Sequence, residues 1–152
     1  MIHRNHLPIT LAFLALAGSS AAAQVADAEL GDAVRSYDAR LSLTNDPALI
    51  HVADFDGDGR ADVAAVLEGG GKSALVIFSR TGSGYAPHAL YASLPRAEYR
   101  LRVVPPGRYR VVGGQGTVEI TASALELVFP GRSSAMYVWA GSRYQVYGTE
   151  NY

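Results

Sequence analysis

The first regular pattern of apolar and polar positions lies between Asp27 and Leu41. Apolar side chains recur there at intervals of four, three and four residues, at Leu30, Val34, Tyr37 and Leu41. Several of the positions between them are charged. Because side chains with this spacing share one side of an α-helix, the pattern predicts a single amphipathic helix near the N-terminus, with its apolar side packed on the rest of the protein.

Beyond Pro47 the helical spacing changes to short apolar runs that are separated by glycine, proline and polar turn residues. Such runs predict β-strands joined by tight turns. The predicted strands are residues 50–55, 63–68, 74–79, 85–91, 100–104, 108–112, 117–121, 125–129, 135–140 and 143–147. We therefore expect a mainly β protein, built as an antiparallel sheet or sandwich or as propeller-blade-like hairpins, with one N-terminal amphipathic helix.

The first 23 residues have the order of features that is typical of a secretory signal peptide. Arg4 lies near the start, an apolar run follows over residues 9–17, and small residues end the segment at Ala21, Ala22 and Ala23. The apolar run is much shorter than the ~20 residues that a membrane-spanning helix needs. The pattern predicts cleavage after Ala23, a periplasmic or secreted location, and no membrane span in the mature chain.

Composition narrows the class of the mature protein, residues 24–152. The full chain has 13 basic and 14 acidic residues, and the signal peptide removes one basic residue, Arg4. The mature chain therefore has a small net negative charge, which argues against nucleic acid as a partner. A chain of this length forms one domain. It contains no cysteine. Exported small domains often depend on disulfides, so the stability of this one must come from its core, from a bound ion, or from both.

An acidic segment, DFDGDGRAD, occupies residues 54–62 and contains four aspartates: Asp54, Asp56, Asp58 and Asp62. It could be a solvated turn, a catalytic carboxylate cluster or a cage for a hard cation. Carboxylates about 5–6 Å apart repel one another by roughly 1–3 kcal/mol per pair, which a solvated turn has no reason to accept. A catalytic pair requires one raised pKa and a substrate cleft. The regular spacing of the aspartates at alternate positions favours the third interpretation, a cage for a hard cation.

The spacing corresponds to the first half of an EF-hand calcium loop, with aspartates at positions 1, 3 and 5 and glycine at 6. Gly59 can adopt the positive φ that curls the chain around an ion, and the carbonyl of Arg60 can add a ligand. The second half differs, because Ala65 occupies the position of the bidentate glutamate. An all-oxygen site favours calcium over magnesium, which retains more water, and over zinc, which prefers histidine or cysteine.

An apolar strand, this aspartate loop and a second apolar strand together resemble the calcium loops of FG-GAP and VCBS-type repeats, over about residues 50–80. Those repeats occur in integrin-like β-propeller blades and in many secreted bacterial proteins. The resemblance implies that Asp54, Asp56, Asp58 and Asp62 bind calcium together with the carbonyl of Arg60.

A second group of candidate residues consists of arginines on neighbouring predicted strands. They are Arg100, Arg102, Arg108 and Arg110, with Tyr99 and Tyr109 between them. They could form a solvated sheet face or a surface for an anionic partner. Tyrosine and arginine are enriched at interface hot spots, which is consistent with the second interpretation.

Two functions remain open at this point. The chain contains no cysteine and no G-x-S-x-G motif, so nucleophilic catalysis has no recognisable machinery. We expect an exported, non-catalytic calcium-binding domain that binds a protein or an anionic cell-envelope polymer, for example an inhibitor or immunity-type protein of an envelope enzyme. The alternative is a small calcium-dependent hydrolase of the cell envelope, which would require a cleft with convergent polar groups.

Overall fold

A computed structural model describes residues 27–95, 97–113 and 116–149 of the chain. The predicted signal peptide, residues 1–23, lies outside the described residues. The described part contains one α-helix, α1 (Ala28–Tyr37). Its strands are β1 (Ser42–Leu43), β2 (Ile50–Ala53), β3 (Asp62–Gly69), β4 (Lys72–Thr81), β5 (Gly84–Tyr91), β6 (Arg100–Val104), β7 (Gly107–Arg110), β8 (Thr117–Ile120), β9 (Ala124–Val128), β10 (Ser134–Trp139) and β11 (Tyr144–Thr149).

Helix α1 is shorter than its apolar spacing predicts. It begins after Asp27, whose carboxylate accepts a 2.9 Å hydrogen bond from the N–H of Glu29. It ends at Tyr37, because Asp38 has an extended backbone and its carboxylate accepts a 3.0 Å hydrogen bond from the N–H of Arg40. This local turn stops the helix four residues before Leu41, and the chain continues into the short strand β1.

The first sheet is antiparallel and has the strand order β1-β3-β4-β5, with β2 also paired to β3. Ser42 pairs with Glu68 and Ile50 pairs with Ala65, so β1 and β2 follow one another along the same edge of β3. A single turn of 3₁₀ helix, Pro47–Leu49, joins these two strands. The β2–β3 hairpin places the acidic segment at one end of this sheet.

The second sheet, also antiparallel, has the order β11-β10-β9-β6, and β7 and β8 form a separate hairpin. Three apolar cores define four layers. The first core lies between the two sheets, the second between the first sheet and α1, and the third between the second sheet and the β7–β8 hairpin. Representative buried residues are Ile77 and Leu125 in the first core, Leu30 and Phe78 in the second, and Ile120 and Met136 in the third.

The mainly β, antiparallel architecture with one N-terminal amphipathic helix is therefore confirmed, and two facing sheets correspond to the sandwich form of that prediction. Among the described residues, no helix has the length and apolar character required to cross a membrane.

Candidate metal centre

The acidic segment is the hairpin loop between β2 and β3, whose last paired residues are Ala53 and Asp62. Phe55 anchors the loop because its side chain is fully buried in the core between the sheets. The carbonyl of Asp54 accepts a 3.0 Å hydrogen bond from the N–H of Ser123, which precedes β9 of the second sheet. The loop thus contacts both sheets at one end of the sandwich.

Two glycines allow the loop to curl. Gly57 and Gly59 have φ angles of +81° and +83°, a backbone conformation that residues with a side chain rarely adopt. A Cβ added at Gly59 would meet no atom of the described residues within 4 Å, so the backbone angle is the reason for glycine there.

Hydrogen bonds within the loop hold the aspartate side chains against the backbone. The carboxylate of Asp54 accepts hydrogen bonds from the N–H groups of Gly57 at 2.7 Å and Gly59 at 2.9 Å. Asp56 accepts one from the N–H of Asp58 at 3.1 Å, and Asp58 accepts one from the N–H of Arg60 at 2.8 Å. These local bonds point successive carboxylates to the same side of the loop.

Three of the predicted ligands converge. Asp54, Asp56 and Asp58 each present a carboxylate oxygen, and these atoms lie within 4.8 Å of one another. Among the described residues, neither Asp54 nor Asp56 forms an ion pair, and the guanidinium Nε of Arg60 lies 3.8 Å from Asp58. Three carboxylates with so little compensating positive charge are arranged so that a metal ion could bind between them.

Asp62 has a different environment from the other three. It is fully buried, and its two carboxylate oxygens accept 2.8 Å hydrogen bonds from the N–H groups of Phe55 and Arg80. The pKa of Asp62 is raised to about 6: burial is the main cause, the N–H groups of Arg80 and Phe55 oppose the rise, and the charge of Asp56 adds to it. Its carboxylate is not one of the three that converge within 4.8 Å.

The backbone N–H of Arg60 is hydrogen-bonded to Asp58, and coordination by its carbonyl stays a prediction.

Two buried hydroxyls next to this region were not predicted from the sequence. Ser79 Oγ and Tyr144 Oη are buried and have no hydrogen-bond partner of good geometry within the part of the chain that the structure describes. Burial raises the pKa of Tyr144, the proximity of Ser79 opposes this, and the charges of Asp62 and Asp56 add to it. The alternating pattern of the last hairpin places Tyr144 on one sheet face, but it carries no signal that this face lies near the acidic loop.

The four arginines predicted to form a partner face have different environments. Arg100 lies 3.2 Å from Glu98, and both side chains are largely exposed. Arg102 donates through Nε to Glu126, a fully buried carboxylate on β9. The remaining two arginines lie on β7: Arg108 lies 3.7 Å from Glu119, and Arg110 has no ion pair within the described residues.

The structure brings Arg102, Arg108 and Arg110 together around one cavity between the β7–β8 hairpin and the second sheet. Arg100 is on the same strand as Arg102 but is not among the described residues that line the cavity. The sequence pattern indicates neither the cavity nor Glu126, because both depend on how β6, β9 and the β7–β8 hairpin pack together.

Comparison of the chain with known protein families, with curated proteins and with solved structures found no match. The resemblance to FG-GAP and VCBS-type calcium loops therefore remains a prediction from residues 50–80.

Proposed function

We propose that this protein is an exported, non-catalytic domain that binds a calcium ion in the loop of residues 54–62 and binds a protein or an anionic cell-envelope polymer through its arginines. An inhibitor or immunity-type role is one form of this function. The observation that carries the proposal is the convergence of the Asp54, Asp56 and Asp58 carboxylates within 4.8 Å. The signal-peptide pattern of residues 1–23 and the resemblance to FG-GAP and VCBS-type loops support it.

The ligand set favours calcium over other cations. The cluster offers carboxylate oxygens from three aspartates, and the carbonyl of Arg60 follows in the same curled loop. Magnesium is usually held by one or two carboxylates and keeps several waters, whereas calcium accepts six to eight oxygen ligands in a flexible arrangement. Zinc sites generally include histidine or cysteine, which this cluster lacks.

The position of the loop supports a structural role for the ion. The loop closes the β2–β3 hairpin, inserts Phe55 between the sheets and hydrogen-bonds to Ser123 of the second sheet. A cation would remove the mutual repulsion of three carboxylates and hold this junction in one conformation. An ion that binds the folded form alone stabilises that form by mass action.

The environment of Asp62 supports the non-catalytic part of the proposal. Asp62 is a carboxyl of this region with a raised pKa, a property that a general acid would use. It is fully buried, and both oxygens accept hydrogen bonds from backbone N–H groups. A carboxyl in this position connects strands and has no access to a substrate.

The proposal is tested by thermal unfolding of residues 24–152 in excess chelator and in calcium. At a free calcium concentration 100 times the dissociation constant, linkage adds about 2.7 kcal/mol to the free energy of unfolding. For a domain of this size the melting temperature then rises by about 10 °C. Magnesium at the same concentration produces a much smaller rise.

Asp56→Ala is the informative variant because it removes one of the converging carboxylates. We expect it to abolish most of the calcium-dependent rise, while the metal-free protein becomes slightly more stable through relief of repulsion. Asp32→Ala is the matched control, since Asp32 is an exposed aspartate on α1 outside the loop. Equal melting temperatures with calcium and with chelator in the unsubstituted protein would refute the calcium site.

A further inference from the structure

The cavity between the β7–β8 hairpin and the second sheet has a volume of about 210 Å³. Its apolar walls are formed by Val104, Val111 and Met136, which belong to the third core. Pockets for drug-sized ligands occupy about 300–1,000 Å³, so this one has room for a smaller group.

The walls of the cavity are held in place by hydrogen bonds. The hydroxyl of Tyr109 donates to the carbonyl of Pro105 at 2.8 Å, which fixes the ring at the start of the hairpin. The N–H of Val112 donates to the carbonyl of Gly148 at 3.0 Å and connects the end of the hairpin to β11. These bonds preform the opening, so a ligand need not order the hairpin when it binds.

The charges around the cavity are not balanced. Three arginines, Arg102, Arg108 and Arg110, and one acidic residue, Glu126, are among the residues that line it, and Arg108 lies 3.7 Å from Glu119, outside that lining. Glu126 is already satisfied, because its two oxygens accept hydrogen bonds from Arg102 and from the hydroxyl of Thr149. Among the described residues, Arg110 has no acidic partner.

We propose that this cavity binds a monocarboxylate that carries a small apolar group. The carboxylate pairs with the guanidinium of Arg110, and the apolar group lies against Val104, Val111 and Met136. This inference rests on the proposed binding role of the arginine face and specifies the chemistry that face recognises. The ligand can be a free short-chain acid or the C-terminal carboxylate of a partner protein, since both present the same group.

The direct test is titration of ¹⁵N-labelled residues 24–152 with hexanoate, followed by amide chemical shifts of Val111, Val112 and Met136. Acetate tests the apolar requirement, and we expect affinity to increase about fourfold for each methylene that becomes buried. Hexan-1-ol and hexylammonium test the charge and should bind at least tenfold more weakly than hexanoate. N-acetyl-leucine represents the C-terminus of a protein, and N-acetyl-leucinamide is its control without the carboxylate. Of hexanoate and N-acetyl-leucine, the one that saturates the cavity at the lower concentration identifies the better type of ligand.

Arg110→Gln should weaken hexanoate binding roughly tenfold to hundredfold, because a charge-assisted hydrogen bond is lost. Arg132→Gln is the matched control: Arg132 lies in an exposed turn between β9 and β10 and does not line the cavity. Shifts elsewhere than around the cavity, equal binding of hexan-1-ol, or undiminished binding by Arg110→Gln would overturn the proposal. The calcium response of the melting temperature is independent of these outcomes, so failure of this inference is distinguishable from failure of the calcium site.

Discussion

At the scale of single residues, two features of Asp62 have opposite effects on its pKa: hydrogen bonds from backbone N–H groups lower it, and burial raises it. Its hydrogen bonds to Phe55 and Arg80 connect the end of the acidic loop to β4. Its burial removes the carboxylate from water and raises its pKa to about 6. A cation close to the loop would favour the charged form of Asp62, whereas in the metal-free folded protein the protonated form predominates only below about pH 6.

This leads to a prediction for the metal-free protein. The pKa of Asp62 is raised from 3.8 to about 6 on folding, so between these values the folded state binds more protons than the unfolded state. In excess chelator the free energy of unfolding should therefore decrease as pH rises from about 4 to about 6, by up to roughly 3 kcal/mol. Denaturant unfolding at intervals across this range measures the slope.

Asp62→Asn should flatten that slope, because the amide does not titrate, although it also loses one hydrogen-bond acceptor and lowers stability at every pH. Asp38, whose pKa is lowered to about 2 by its hydrogen bonds to Arg40, affects stability at more acidic pH and has the opposite sign. A chelated protein whose stability stays level or increases between pH 4 and 6 would contradict the assignment to Asp62.

At the scale of elements, a charged pair joins two strands of the second sheet, and only its acidic member is buried. Arg102 on β6 and Glu126 on β9 are directly opposite each other in the antiparallel register. The Glu126 side chain is 1 % exposed, while that of Arg102 is 64 % exposed. The β7–β8 hairpin packs on this face of the sheet, so an acidic residue at the centre of β9 is removed from water and depends on Arg102 and Thr149.

We expect Arg102→Ala to lower the free energy of unfolding by about 2–3 kcal/mol, because it leaves a buried carboxylate without its counter-ion. Adding Glu126→Gln to that variant should recover part of the loss, with a coupling energy of about 1–2 kcal/mol in a double-mutant cycle. Arg100→Ala is the control on the same strand: both members of its ion pair with Glu98 are exposed, so the change should stay within about 0.5 kcal/mol. Equal effects of the two arginine substitutions would show that burial of Glu126 has no energetic consequence.

At the scale of the whole molecule, the four layers meet at several points that lie outside any single core. Arg80 on β4 connects the first sheet to the start of α1, with its guanidinium 2.7 Å from Asp27 and 2.8 Å from Glu29. The same guanidinium lies over the ring of Tyr85, 4.7 Å from its centre. The acidic loop connects the two sheets at the hydrogen bond between Asp54 and Ser123. A chain without disulfides is thus held together by its cores and by polar contacts between layers.

Processing of the N-terminus is a prediction about the whole chain. We expect protein recovered from the periplasm or the medium to begin at Gln24, because the apolar run and the small residues before it match a signal peptide. N-terminal sequencing or intact mass measures this directly. Leu14→Arg interrupts the apolar run and should keep the unprocessed chain inside the cell. Exported protein that still begins with Met1 would contradict the prediction.

By itself the sequence determined the features that depend on near neighbours. The pattern of apolar residues predicted α1 and the strands from β2 onward, since such patterns follow directly from helix and strand geometry, but it did not predict the short strand β1. The acidic loop was also predictable, because its aspartates and glycines act over nine residues. The helix end was not predicted correctly, since the turn at Asp38 competes with an apolar spacing that continues to Leu41.

Tertiary structure alone decided which residues of distant segments meet. In β3, residues 62–67 are all buried, because α1 covers one face of the first sheet and the second sheet covers the other. This packing buries Asp62, whose carboxylate is not one of the three that converge within 4.8 Å. It also turns Arg102 into the counter-ion of Glu126 and leaves Arg110 beside a cavity. Such outcomes depend on contacts between strands far apart in the chain, and no local pattern of residues specifies which faces of two sheets will be covered.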